Sequence, residues 1–152
     1  MSNYKKLTCT DIDEATLAEN AGRLSFIENL IFTYFDFRLQ AFEQKFDSAY
    51  AVDVLEHIYP SEEAAVLTNI TGSLKPHGTA LFGTPNLSAE KYASKLSKLG
   101  HVNLKDAASL RLLMQQHFHS VFMFSMNDEV VHTGYAPMAH YLWALCVGPK
   151  ST

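Results

Sequence analysis

Apolar and polar positions along the chain fall into alternating strand-like and helix-like blocks. Leu7–Thr10 is a short apolar run that ends at Asp11. Asp13 is placed to cap a helix with its carboxylate, and Leu17, Ala21, Leu24 and Ile27 follow at helical spacing. Leu30–Phe35 alternates in a β-prone composition and ends at Asp36, and Phe46–Val52 is a further strand bounded by Asp47 and Asp53. Pro60–Ser61–Glu62–Glu63 opens a helix with acids that suit its dipole. Leu67, Ile70 and Leu74 give its buried face, and Pro76 stops it. Thr79–Gly83 is the next strand, ended by Thr84–Pro85–Asn86. Ser88–Leu99 reads as a weakly amphipathic helix ended by Gly100. Asp106 caps another, with Leu110, Leu113, Met114 and His117 on one face. Val121–Phe124 and Tyr141–Val147 are apolar throughout, the composition of strands covered on both faces. Asn127–Met138 between them reads as a loop or a short helical insertion.

Strands alternating with helices predict one α/β domain over residues 1–152, with a mostly parallel sheet. The last two strands lack a full crossover helix, so an antiparallel pair is expected at the C-terminal edge. The net charge of −4 gives no basis for neutralising phosphates, and Lys5–Lys6 and Lys91–Lys98 are too sparse to form a basic stripe. No nucleic-acid partner is expected. Cys9 and Cys146 sit in apolar runs and read as free thiols of a reducing compartment. No apolar signal region follows Met1–Lys6, and the longest apolar run, Tyr141–Val147, is too short to span a bilayer. The expectation is a cytoplasmic protein without a membrane partner.

Four segments, in order, carry a resemblance. They are TDIDEATL from Thr10, FTYFDF from Phe32, FDSAYAVDVLEHI from Phe46 and LKPHGTALFGTPN from Leu74. Together they resemble the class I S-adenosylmethionine-dependent methyltransferases, a Rossmann-like superfamily. The resemblance implies a three-layer sandwich, S-adenosylmethionine as cofactor and a small-molecule acceptor. It places Asp11 at the cofactor ribose, where a carboxylate accepts from both vicinal hydroxyls. Ile12 falls against the adenine, Asp36 and Phe37 near the adenine amino group, and Val52 and Asp53 beside the transferring methyl. In the fourth segment the usual Gly-Gly pair is His77–Gly78. Taken singly, Asp11, Asp36 and Asp53 also suit turns and caps at strand ends.

The resemblance is interrupted at its start. Relatives carry a central first strand and a glycine-rich loop that lets the backbone approach the cofactor. The seven glycines here, Gly22, Gly72, Gly78, Gly83, Gly100, Gly134 and Gly148, are scattered, and no such loop exists. Without that strand its neighbours are expected to expose edges. Three explanations are open: a fragment of a longer product, a domain completed by a homodimer or partner chain, or a non-catalytic remnant that does not bind cofactor.

Methyl transfer from a sulfonium is an in-line displacement that depends chiefly on positioning, with a general base for a hydroxyl acceptor. His57, His101, His132 and His140 are the candidate bases. Each alone also reads as an ordinary surface or hydrogen-bonded histidine. His117 and His119 are expected to be structural. Asp53–x–x–Glu56–His57 is similar to a Glu-x-x-Glu-His turn with which some relatives, among them ubiquinone-biosynthesis and small-RNA enzymes, bind magnesium or manganese. Many relatives carry the Leu-Glu-His turn without a metal, and no metal ligand is assigned. The polar and aromatic run Met126–Tyr141 could line the acceptor pocket or merely connect two strands.

Overall fold

The computed structural model describes residues 4–150. Its elements are β1 (Leu7–Asp11), α1 (Glu14–Arg23), β2 (Leu30–Tyr34), β3 (Phe46–Val52), α2 (Pro60–Gly72), β4 (Leu74–Pro85), α3 (Lys95–Gly100), α4 (Ala107–His117), β5 (Phe118–Asn127), β6 (Val130–His132) and β7 (Tyr141–Pro149). Short 3₁₀ turns cover Leu55–His57, Leu87–Tyr92 and Ala136–Met138. The caps follow the sequence. Asp13 accepts from the Ala15 amide, and Asp106 from that of Ser109.

The strands form two sheets. β1 and β2 pair in parallel, and β3-β4-β7-β5-β6 form the larger sheet. Within it β3 and β4 are parallel, while β7 runs antiparallel to both β4 and β5. β3, β4 and β5 therefore share one direction, and β7 is the reversed strand expected at the C-terminal end. Among the described residues β1 pairs only with β2 and β3 only with β4. Their inner edges carry no ladder, as the sequence led us to expect. Cys9 and Tyr4 lie near Tyr50 of β3 across this opening; partial burial and those two neighbours raise the Tyr50 pKa.

One face of the larger sheet holds the core. Phe82, Leu142, Ala144 and Cys146 pack there with Val66, Leu67 and Ile70 of α2 and Leu110 and Met114 of α4. The other face is apolar but half-open. Strand register lines up Tyr50, Leu81, Leu145 and Phe122 across four strands, and Tyr50 and Phe122 remain 61% and 54% exposed. The continuous apolar runs of β5 and β7 thus alternate between a packed face and an uncovered one, rather than being buried on both.

Two further departures have local causes. Ser88–Leu99 is not one helix: Asn86 and Ser94 each cap a separate turn, and Ala93 between them is extended. Pro76 lies inside β4, beyond the C-terminus of α2 at Gly72. The ladder there is interrupted, since Phe46 pairs with Leu74 but Ser48 with Thr79. A proline is tolerated where no ladder bond is required of it.

Candidate active site

The carboxyl ends of β3 and β4 and the start of β7 converge, because Val52 pairs with Gly83 and Pro85 with Tyr141. That end of an open α/β sheet is where ligands bind. The run between β5 and β7 lies at the same end, since Met126 of β5 pairs with Tyr141 of β7. Asn86 pins this run. The buried side chain donates to the carbonyls of Ala136 and Ala139 at 2.9 and 2.8 Å, and its amide donates to that of His140.

At the centre lie Glu56, His57 and His101, with one potential ligand atom from each within 4.8 Å of the others. Two elements bring them together. The turn at Leu55–His57 follows β3, and the Glu56 carbonyl accepts from the amides of Val102 and Asn103 at 2.8 and 3.1 Å. The imidazoles of His57 and His101 stand 5.2 Å apart, tilted by 67°. His57 Nδ1 is 2.9 Å from the Gly100 carbonyl oxygen. A carbonyl can only accept, so Nδ1 carries a proton, and in the neutral ring Nε2 holds the lone pair. Gly100 permits this approach, since a Cβ there would stand 3.3 Å from His57 Cε1.

Glu56 is fully buried. Its Oε2 accepts from Thr84 Oγ1 at 3.0 Å, while among the described residues Oε1 has no partner, and neither does the buried His101 Nδ1. Burial raises the Glu56 pKa, against the lowering pull of hydrogen bonds, including Thr84's. Asp53, the first acid of the Asp-x-x-Glu-His turn, is not in this cluster. It takes a left-handed backbone (φ 54°), and its Oδ1 accepts from Tyr141 Oη at 2.8 Å. Burial and Asp53 hold the Tyr141 phenol far above its ordinary pKa, so it stays a donor.

The remaining expected residues are spread around this centre. Asp11 ends β1, and its Oδ1 accepts from the Asp13 amide at 3.0 Å; Ile12 beside it is 52% exposed. Val52 ends β3, half exposed. Asp36 is buried and held by Arg38, which donates through Nε at 2.9 and 3.1 Å, through a terminal nitrogen at 2.7 Å and through its amide at 2.9 Å. That guanidinium keeps the Asp36 pKa low. Both Asp36 oxygens are thus engaged before any adenine is considered. Phe37 packs edge-on to Phe35 and Phe42. His132 is in the β5–β6 hairpin, where Nε2 lies 3.3 Å from Asn127 Nδ2, and it is not a member of the Glu56–His57–His101 cluster. Sequence reasoning missed Thr84 and Asn86 as members of the site, and met Tyr141 only as the end of the run Met126–Tyr141. The first two were visible only as a strand end, and Tyr141 meets Asp53 across 88 residues of chain.

A family model for the methyltransferase domain matches residues 2–80, just over half of the chain. No curated protein matches it. Among solved structures, the N-methyltransferase NodS of Bradyrhizobium japonicum WM9, in complex with S-adenosylhomocysteine, is similar at 16% identity. Its TM-score is 0.67, over 96% of this chain and 68% of that one. The methyltransferase domain of bacterial CtHen1-C is similar at 12% identity and TM-score 0.76, over 97% and 79%. The S-adenosylhomocysteine complex of DhpI is similar at 18% identity and TM-score 0.70, over 96% and 68%. The chain belongs to the methyltransferase domain family, and its fold is that of the class I S-adenosylmethionine-dependent enzymes.

Proposed function

We propose that this domain moves the methyl group of S-adenosylmethionine to a small-molecule acceptor held beside Glu56, His57 and His101. The observation that carries the reading is the His57 tautomer. With Nδ1–H donated to Gly100, the free Nε2 is positioned to take a proton from an acceptor hydroxyl or amine as the methyl arrives. His101 and the Tyr141–Asp53 pair border the same space. On the cofactor side, Asp11 and Ile12 would meet ribose and adenine, Asp36 and Phe37 the far side of the adenine, and Val52 and Asp53 the methyl-bearing end. The acceptor group stands closest to His57 in this reading, and His132 serves the hairpin instead.

A divalent cation is a second reading, favoured by two unpartnered buried atoms, Glu56 Oε1 and His101 Nδ1. Glu56, His57 and His101 would hold it, a set of one carboxylate and two imidazoles that suits manganese rather than magnesium, which prefers oxygen ligands. Bound there, the ion would polarise an acceptor oxygen. Glu56 would supply the negative charge, and Thr84 would orient its carboxylate.

The inner edges of β1 and β3, with the bare row Tyr50–Leu81–Leu145–Phe122 beside them, support completion by a second chain, either another copy or a partner. Calorimetric titration of the purified chain with S-adenosylhomocysteine tests the cofactor reading. Saturable one-to-one binding that Asp11→Ala weakens supports it. No heat from a chain shown to be folded refutes it for this chain. His57→Gln, tested with labelled S-adenosylmethionine and hydroxyl acceptors, should lose turnover and keep cofactor affinity.

A further inference from the structure

We propose that the segment Leu87–Gly100 docks this domain on an anionic lipid surface. The segment is two short turns, the 3₁₀ turn Leu87–Tyr92 and α3, joined through extended Ala93. It carries three lysines, Lys91, Lys95 and Lys98, against one acid, Glu90, on a chain whose net charge is −4. Its apolar side chains are among the most exposed of the protein: Tyr92 is 79%, Leu96 81% and Leu99 80% exposed. A soluble domain seldom leaves such side chains in water side by side without a use for them.

Helical geometry puts the two kinds of side chain on one outward arc. At about 100° per residue, Lys98, Lys95, Leu99 and Leu96 span an arc of roughly 160°. Ser97 falls on the opposite side, half-buried, where its amide and hydroxyl engage Ser94. The outward arc is therefore half basic and half apolar, the pattern of a helix lying in a bilayer interface. Lysine stems can follow the leucines toward the acyl boundary while the ammonium groups stay at the headgroups. Tyr92 and Met138, 72% exposed, flank a shallow depression of about 190 Å³ between this segment and the run 137–140. They extend the apolar rim.

Charge complementarity selects the occupant. A nucleic acid would reward the lysines and leave the leucines wet. An uncharged protein surface would reward the leucines and leave the lysines without a partner. An anionic bilayer satisfies both. Lys91 lies over the Tyr92 ring at 4.8 Å, so one lysine and one aromatic already pair. The segment ends at Gly100, whose carbonyl holds His57. Docking would thus turn the mouth of the active site to the lipid and favour an acceptor that partitions into it. That consequence for the acceptor rests on the proposed reaction, whereas the docking does not.

The test is co-sedimentation of the full chain with vesicles of phosphatidylcholine alone and of phosphatidylcholine mixed with phosphatidylglycerol. Binding is expected only to the anionic vesicles, and it should weaken as salt is raised. Each of Lys91→Gln, Lys95→Gln and Lys98→Gln should reduce partitioning by about five-fold. Leu96→Asn with Leu99→Asn should abolish it. All five side chains are exposed, and the one hydrogen bond among them, Lys98 Nζ to the Lys91 carbonyl at 3.4 Å, lies within the segment, so circular dichroism should show these variants folded. Three results overturn the proposal: no binding of the folded wild type to anionic vesicles, equal binding by the leucine variant, or a leucine variant that changes only self-association in sedimentation velocity. Loss of vesicle binding with S-adenosylhomocysteine affinity intact separates this surface from the cofactor site.

Discussion

Replacing Glu56 with glutamine should stabilise the protein, although the residue stands at the centre of the site. Its carboxylate is fully buried and accepts from Thr84 at 3.0 Å through Oε2, while Oε1 has no partner among the described residues. A buried charged acceptor left without a partner costs about 1–3 kcal/mol. Glutamine keeps the shape and still accepts from Thr84, but its own amide group then lacks an acceptor, so the net gain should be about 1–2 kcal/mol. For a chain of this size that is a rise of roughly 2–8 °C in Tm. The pH dependence has a definite sign. Burial raises the Glu56 pKa, so the folded state binds that proton more tightly than the unfolded state. The wild type therefore recovers stability as pH falls from neutral through the raised pKa toward the ordinary carboxylate range. Glu56→Gln has no such increment, and the gap between the two should close on acidification. Asp13, Asp36, Asp47 and Asp106 have lowered pKa values and act in the opposite direction, but they are common to both proteins and cancel in the difference. The assay is thermal unfolding by circular dichroism in chelator, repeated with manganese. Manganese should raise the Tm of the wild type and leave the variant unchanged. An equal or lower Tm for the variant at neutral pH, in chelator, would refute the reasoning.

Three further substitutions or modifications test the surroundings of the site. Gly83→Ala places a Cβ 2.7 Å from Trp143 Cζ3 on the neighbouring strand and should cost about 1–3 kcal/mol; an unchanged Tm would show that the ring can move aside. Tyr141→Phe removes the hydrogen bond to Asp53 and should cost about 0.5–1.5 kcal/mol in denaturant unfolding, with no change in the mid-point as the sign that the bond contributes nothing. Burial pushes the Cys146 thiol up to about 12, so a thiol reagent should label one cysteine of the native chain, Cys9, and reach Cys146 only after unfolding; rapid labelling of both would overturn this.

Much of the fold was legible because the apolar periods and the caps agree. Asp13 and Asp106 each announced a helix, and each accepts the expected amide. The interrupted segment around Ala93 was not legible. Leu96 and Leu99 sit at helical spacing but face water, so an amphipathic pattern there reports an exposed surface rather than a core. The strand Leu74–Pro85 was read too short because Pro76 marks a stop in a helix, whereas here it occupies a stretch of strand without ladder bonds. The site was half legible. Glu56 and His57 are adjacent in sequence, but their meeting with His101 depends on two amides reaching back to the Glu56 carbonyl. Thr84 and Tyr141 enter only through strand register, which residue pattern does not encode.

The two halves of the site differ in how they are held, and that difference bears on how the protein would bind its cofactor. The proposed acceptor side is built within one sheet. Asp53, Thr84 and Tyr141 come from or adjoin strands in direct register, and the Glu56–His57 turn is tied to the segment around His101 by the Val102 and Asn103 amides on the Glu56 carbonyl and by the His57 imidazole on the Gly100 carbonyl. Such a side keeps its geometry without a ligand. The proposed cofactor side is divided, since Asp11 ends a strand of the small sheet and Asp53 follows a strand of the large one, with no ladder between them among the described residues. A ligand that touches both must fix the two sheets relative to each other, and part of its binding energy goes into that ordering. A strand inserted between β1 and β3 would do the same ordering in advance and raise cofactor affinity without contributing a single contact to it. The arrangement therefore couples cofactor affinity to whatever fills the opening, while leaving the histidine pair and its buried carboxylate already in place.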